Sequence, residues 1–595
     1  MRRILLVWLL LSAMLVAVSF QGILSGRFPD PDDALRLIQI RDLLAGQAWF
    51  DLHQYRIDPP GGTLMHWSRL VDVPLALVIV IMEPVFGQYV AERIAMVAVP
   101  LLTFLAILIA VGRMTWRLFD LETATLACIV CGFLAMMAFQ ILPMRIDHHG
   151  WQIFCVAMAL WALSWRSPVL GGLTAGLSMA AGMIISIEIL PIAAVFGAVL
   201  ALRWLRSPKN YLWLLSFMQA LAISLVGLFL ITRGLADLAK HCDAISPAHL
   251  GFFVIAAVGV AAGAVKPAMP RPLMIGVLGV SALCGMTFFA INAPQCLAPP
   301  FADLDPLVRD YWHANVLEGR ALWEQRPSYI LPTFIQMLVA LAATMILRAT
   351  STDWLRNWWT DYALLLAGSI LLSVFVARSF AFASVIAAMP LGWLAIEIFR
   401  KIRMTKTAGS RVGLAVVLTL IILPATPVSF YRLAMPKLGN QQIALIEDSS
   451  CAFRESAASL DRLEQGTIFA PLDIGPALLA WSSHSVVATG HHRAKDSMHD
   501  VILAYTSPAS QARVIMQQHR AKYVVVCSDL MEPKLFARKA PSGLAAQLLR
   551  GDAPDWLEPV SLDVPEELLV WRIVGQDQEV AAGKVQGKSG PVSPG

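Results

Sequence analysis

Long apolar runs separated by short polar connections dominate the first 430 residues of the chain. They recur at 4–24, 92–112, 122–142, 150–165, 169–187, 189–204, 211–231, 250–265, 273–291, 331–347, 361–377, 381–398 and 412–430, thirteen in all. Many approach the roughly 20 residues that cross a bilayer as a helix. Lipid admits only helices or closed barrels, and these runs lack the period-two alternation of barrel strands, so the pattern predicts an α-helical polytopic membrane protein. Met1-Arg2-Arg3 ahead of the first run marks a start-transfer span with its N-terminus inside. Ala17-Val18-Ser19 offers a small-residue cleavage site as the competing interpretation.

Basic residues divide the connections into two sets. Arg113 and Arg117, Arg166, Arg203, Arg206 and Lys209, Lys266 and Arg271, Arg348 and Arg356, and Arg400, Lys401, Arg403, Lys406 and Arg411 fall on every second connection. By the positive-inside rule these are cytoplasmic. The other set is then extracytoplasmic: a polar segment at about 25–72, a second loop at about 292–330, and everything beyond about 431. This assigns 1–430 to a transmembrane domain, with its N-terminus cytoplasmic, in a bacterial inner (cytoplasmic) membrane.

From about 431 to 575 the pattern becomes that of a periplasmic α/β domain. Thr467-Ile468-Phe469, Ser485-Val486-Val487-Ala488 and Tyr523-Val524-Val525-Val526 predict short buried strands, and Ser507–Arg520 a helix between the last two. The 576–595 tail of Gly, Pro, Ser and Lys predicts disorder.

Composition agrees with the membrane assignment. The 595 residues are 57% hydrophobic and 15% charged, against roughly 25% charge in soluble chains. The net charge of +5 resides mostly in connections, where it orients spans, so no nucleic-acid partner is implied. The 8 cysteines show no CxxC or Cys/His spacing of a structural zinc site. Cys242, Cys296, Cys451 and Cys527 fall outside, where disulfides form, but their spacing leaves pairing open, free thiols included.

Four features at the outer ends of spans carry the candidate chemistry, because ionisable groups near lipid are costly unless they serve a purpose. In Pro29-Asp30-Pro31-Asp32-Asp33, three carboxylates lie within four residues. They repel one another unless a cation such as Mg²⁺ or Mn²⁺ neutralises them. A solvated loop with an Asp helix cap is the plain alternative. Arg145-Ile146-Asp147-His148-His149 places Asp147 and His149 two residues apart, able to share a metal, with His149 tilting the preference towards Mn²⁺. The third feature is Glu318, in a loop of aromatics with Gly319 as a hinge. The fourth is Arg378 at the end of its span, where a lipid phosphate is the natural partner and headgroup snorkelling the alternative.

On these residues the chain resembles the GT-C glycosyltransferases, most closely the catalytic subunits of oligosaccharyltransferases. That family has thirteen spans, a large first outer loop, a mobile outer loop after the ninth span and an outer C-terminal α/β domain. Asp30-Pro31 with Arg36 has the spacing of the family's first-loop motif, which makes Asp30 the first choice for catalysis and metal binding, with Asp32 and Asp33 beside it. Asp147-His148-His149 resembles the family's Asp-x-Asp or Asp-x-Glu motif with histidine in place of the second carboxylate. Asn315-Val316-Leu317-Glu318 with Trp323 is similar to its Ser-x-Ser-Glu loop, without the serines. Arg378-Ser379-Phe380 resembles its donor-pyrophosphate site. Pro471-Leu472-Asp473-Ile474-Gly475, followed by His492-Arg493 and Asp496, stands where the family has Trp-Trp-Asp-Tyr-Gly and an Asn-Arg turn.

The resemblance implies a glycosyltransferase that moves a sugar or glycan from a polyprenyl phosphate or diphosphate to a glycan, lipid or protein acceptor at the periplasmic face, in envelope glycan or polysaccharide assembly. Asp30, Asp33, Asp147 and Glu318 would be catalytic; Asp30, Asp32, Asp147 and His149 would hold Mn²⁺ or Mg²⁺. Arg378 and Arg145 would bind donor phosphate, and Asp473, His492 and Arg493 the acceptor. The alternatives are a protein oligosaccharyltransferase acting on Asn and, from another class, a non-catalytic lipid or polysaccharide transporter. Transporters place charges near the midplane and show repeat symmetry; here the charges gather at one face and no repeat is seen.

Overall fold

A computed structural model describes residues 1–235, 237–298, 301–429 and 449–575. The predicted tail at 576–595 and the start of the soluble domain lie outside the described residues. Among the described residues, nine helices are long and apolar enough to cross a membrane, from Gln88–Leu118 to Ala377–Met404, and Leu121–Phe133 and Ala408–Ile422 are shorter apolar helices. The runs at 4–24 and 150–165 form Arg2–Val18 with Phe20–Ser25, and His149–Ala162. The chain is a multi-pass, mostly helical membrane protein with a sheet-containing C-terminal region.

Three elements differ from expectation. The 122–142 run breaks after Phe133, where Leu134 is extended; only the short Ala135–Phe139 helix follows, and Pro143 disfavours helix at the residue before it. The last run stops at Ile422, ahead of Pro424, which cannot continue a helix. An apolar helix not counted from sequence, Asp72–Phe86, follows the first outer loop and ends at Gly87 with φ 77°, a backbone conformation that suits glycine. Elsewhere spans pack through small residues. A Cβ on Gly172 would lie 2.8 Å from the Trp213 carbonyl oxygen, so glycine there lets Pro168–Ile185 and Tyr211–Thr232 approach closely.

The first outer loop is an ordered body. It holds the Pro31–Leu44 helix and a small hairpin, β1 (His53–Gln54) with β2 (Thr63–Leu64). A buried Arg36–Asp72 ion pair at 2.9 Å, joined by Arg69 and Gln39, closes the loop on itself.

The C-terminal sheet has the order β4-β3-β5-β7-β6. β3 (Thr467–Phe469), β4 (Ser485–Val486) and β5 (Ala521–Cys527) are parallel, as their helical crossovers dictate. β6 (Leu557–Pro559) and β7 (Leu568–Ile573) add antiparallel, with Cys527 opposite Leu568. The first outer loop extends the β4 edge, since Asp58 N donates to Val486 O and Val486 N to Arg56 O, each at 2.9 Å. Two disulfides, Cys242–Cys296 and Cys451–Cys527, join the four cysteines assigned to the outside.

Candidate active site

Asp30 caps the Pro31–Leu44 helix, its carboxylate accepting from Asp32 N at 3.0 Å, with Pro31 in the first helical position. The cap spreads the three neighbouring acids around one helical turn. Asp33 points inward and is fully buried. One of its oxygens accepts from the backbone N–H of Ile146 and of Asp147, at 2.7 and 2.9 Å. The other meets Arg145 at 3.2 Å. Asp33 thereby fixes the turn that carries Asp147.

Arg145 also reaches Asp30 at 3.0 Å and Asp147 at 2.8 Å. Buried among three carboxylates, it offsets their mutual repulsion. Asp147 accepts from His149 N at 3.0 Å and pairs with His149 Nδ1 at 2.7 Å. The far nitrogen of His149, Nε2, lies 3.5 Å from Glu188. Glu188 pairs with Arg378 Nη1, and Arg378 Nη2 reaches Glu318 at 2.9 Å. One polar network thus runs Asp30–Arg145–Asp147–His149–Glu188–Arg378–Glu318 and joins all four features singled out in the sequence.

Glu188 is the member that sequence reasoning missed. Its signal was a lone carboxylate, Ile187-Glu188-Ile189, at the junction of two apolar runs, an expensive place for a charge. In space it supplies a carboxylate beside His149, where the local motif has lost one.

The electrostatics favour a cation here. Asp32 is raised to about 8 by burial and by Asp30 and Asp147. Burial likewise raises Asp33 well above the carboxylate range, against the opposing pull of Arg145. Burial opposes ionisation of Asp147 too, but Arg145 and His149 hold it well below the usual range. Asp147, His148 and His149 offer ligand atoms within 4.8 Å of one another. His149 Nε2, Glu188 Oε2 and both ring nitrogens of His148 are buried without a hydrogen-bond partner. Orphaned lone pairs beside excess carboxylate fit a divalent ion, and the mixed N/O set suits Mn²⁺ or Zn²⁺ better than Mg²⁺.

The three residues assigned to an acceptor divide between two places. Asp473 and Asp30 line one open cleft, together with Arg27, Arg454 and Trp481. Burial and the Asp30 charge raise it to about 6. The buried Glu532 accepts from the N–H of Leu472 and of Asp473 at 3.1 and 2.8 Å, holding this turn as Asp33 holds the other. His492 and Arg493 instead pair with Asp243, at 2.8 and 2.7 Å.

Apolar helices, ordered loops gathered at one end of them and a capping α/β region make up a polytopic fold. No family model and no curated protein matches the chain. Solved structures do. Archaeal oligosaccharyltransferase AglB from Archaeoglobus fulgidus, in complex with an inhibitory peptide and a dolichol-phosphate, matches with a TM-score of 0.63 at 15% identity over 96% of this chain and 76% of that one. The Archaeoglobus fulgidus oligosaccharyltransferase tethered with an acceptor peptide containing the NVT sequon gives 0.62 at 14% over 96% and 74%. Its complex with Zn and sulfate gives 0.59 at 12% over 95% and 75%. The fold of this chain resembles that of these archaeal oligosaccharyltransferases.

Proposed function

We propose that this protein is a metal-dependent glycosyltransferase, moving a sugar or glycan from a polyprenyl phosphate or diphosphate to an acceptor at the periplasmic face of a bacterial inner membrane. The observation that carries this is the continuous network from Asp30 to Glu318 at the outer ends of the spans. The positive-inside pattern supports a cytoplasmic N-terminus, a transmembrane domain over 1–430 and a periplasmic domain over 431–575.

Asp30, Asp32, Asp147, His149 and Glu188 would hold the ion, Mn²⁺ in preference to Mg²⁺. When bound, such an ion offsets charge developing on a departing phosphate oxygen. Arg378 would grip the donor phosphate through its planar fork, exchanging a carboxylate partner for the phosphate. Arg145 is paired on three sides, so its part is to hold Asp30 and Asp147 in place, and phosphate binding falls to Arg378. Asp30 and Asp32 would orient the acceptor hydroxyl or amide and receive its proton. Glu318 would complete the wall above them. Asp33 is a positioning residue.

The cleft between Asp30 and Asp473 would receive the acceptor. Pro471 and Leu472 stand where sequon-reading relatives have paired tryptophans, and Leu472 is fully buried in the sheet core. Neither of these two positions offers an indole N–H to a sequon hydroxyl, and a site without such partners discriminates poorly. This favours a lipid-linked glycan or envelope polysaccharide over an Asn-x-Ser/Thr peptide. Incubating the purified protein and a polyprenyl-linked donor with both acceptor classes tests the reading. Transfer to glycan that stops in EDTA and in Asp147→Asn is expected. Full activity in EDTA refutes the metal site, and transfer to Asn that needs the peptide's Ser or Thr makes the protein an oligosaccharyltransferase.

A further inference from the structure

A second cluster of ligand-type side chains lies apart from this network. His66 comes from the first outer loop, Asp243 from the segment after the Tyr211–Thr232 helix, and His491, His492 and Arg493 from the turn after β4. His492 Nε2 is 2.8 Å from one Asp243 oxygen. Arg493 spans both oxygens at 2.7 Å. His66 Nδ1 lies 2.9 Å from His491 Nε2, and the His66 ring is 4.8 Å from that of His492.

An Arg493–Asp243 ion pair with His492 as a third member would be complete by itself. It does not account for His66 and His491 crowding against it, nor for His491, 2% exposed, keeping a buried Nδ1 without a partner. Two imidazoles, those of His66 and His492, packed beside one carboxylate are an expensive arrangement unless their lone pairs have a common target. Ligand atoms of His66, Asp243 and His492 lie within 4.8 Å of one another.

His66, Asp243 and His492 supply three ligands of a tetrahedral site, with water as the fourth. We propose that Zn²⁺ bound there staples the C-terminal domain to the first outer loop and to the segment that carries Asp243. A His₂Asp set with one open position suits Zn²⁺. Tetrahedral ligands at about 2.1 Å stand about 3.4 Å apart, so modest side-chain rotations close the site. Its frame is already fixed. Asp243 adjoins the Cys242–Cys296 disulfide, Arg233 donates to His66 O at 2.5 Å, and Trp67 beside His66 is buried. Arg493, bonded to both Asp243 oxygens, orients the carboxylate, the role outer partners play at metal sites, and its Nε would yield Oδ2 to the ion. Phe301 packs edge-on against His492 at 5.4 Å, so the segment leading to Glu318 starts against the staple.

The test uses the full-length Asp147→Asn chain, in which the candidate active-site ligand is already lost. After chelator stripping it is titrated with Zn²⁺ and with Co²⁺. One tightly held equivalent is expected, with tetrahedral Co²⁺ absorption bands and a raised melting temperature. Adding His66→Ala or Asp243→Asn should weaken binding at least hundredfold and remove both signals. Absence of a bound equivalent in the Asp147→Asn chain overturns the proposal without any further variant. Retention of that equivalent in both double variants overturns it as well.

Discussion

Adding Mn²⁺ to metal-free protein at pH 7 should expel a proton from Asp32. Burial with Asp30 and Asp147 raises this carboxyl to about 8, so about nine in ten chains carry it neutral at pH 7. A cation placed among these acids removes the cause of the shift, and ligands must be deprotonated to bind. Asp32 should therefore contribute about 0.9 proton per ion bound, and apparent affinity should fall about tenfold per pH unit below pH 8. The sign for stability follows from the same shift. The metal-free fold binds a proton that the unfolded chain, titrating near pH 4, has lost, so metal-free stability falls as pH rises from about 4 to 8. Calorimetric titration of Mn²⁺ in buffers of different ionisation enthalpy gives the proton count. The parent minus Asp32→Asn should differ by close to one proton at pH 7. Equal proton release from the two proteins would refute the crowded-carboxylate argument.

Glu188→Gln keeps the shape but removes the charge beside His149, and should weaken Mn²⁺ binding about tenfold to hundredfold in an equilibrium titration. Arg378→Ala should weaken binding of a polyprenyl-linked donor by about tenfold to hundredfold, with Arg378→Lys intermediate, as measured by donor-lipid quenching of tryptophan fluorescence. Glu318→Gln removes a carboxylate that competes for Arg378, so it should lower transfer while leaving donor binding as tight or tighter. Glu532→Ala orphans the buried N–H groups of Leu472 and Asp473, at a cost of about 1–3 kcal/mol each. Its melting temperature should fall, and that of Glu532→Gln, which keeps one acceptor oxygen but turns an amide donor towards the other N–H, should fall too, by less.

The helical bundle was legible because lipid leaves so few options: most of its helices lie where the apolar runs predicted them. β3, β4, β5 and the helix now seen at Ala509–Gln518 were visible as short buried patterns. β6 and β7 were not, since Leu557-Glu558-Pro559 is half exposed and carries a proline, a poor strand signal. At the site, Asp30, Asp147, Glu318 and Arg378 stood out as charges at the ends of spans. Glu188 was hidden as a single residue between two apolar runs. Its partner lies 190 residues away, and no local spacing announces such a pair. His492 and Arg493 were visible as a motif, but their partner Asp243 sits in a different loop. Contacts between distant loops are what periodicity cannot encode.

The Pro31–Leu44 helix is fastened along its length: Asp33 to the 146–147 amides, Arg36 to Asp72, and Arg41 to Glu92 and to the Ala480 carbonyl oxygen. Mechanically it is a keel, and neither the spans nor the capping domain can slide past it without parting charged contacts. The opposite end is built differently. Glu318 rides on single turns, His313–Asn315, Leu317–Gly319 and Leu322–Glu324, held largely by their own short-range bonds. Stiffness and compliance are thus divided between the two ends of one polar network. Any large ligand that reaches this network would be accommodated at the compliant end, while the keel keeps the acids in register.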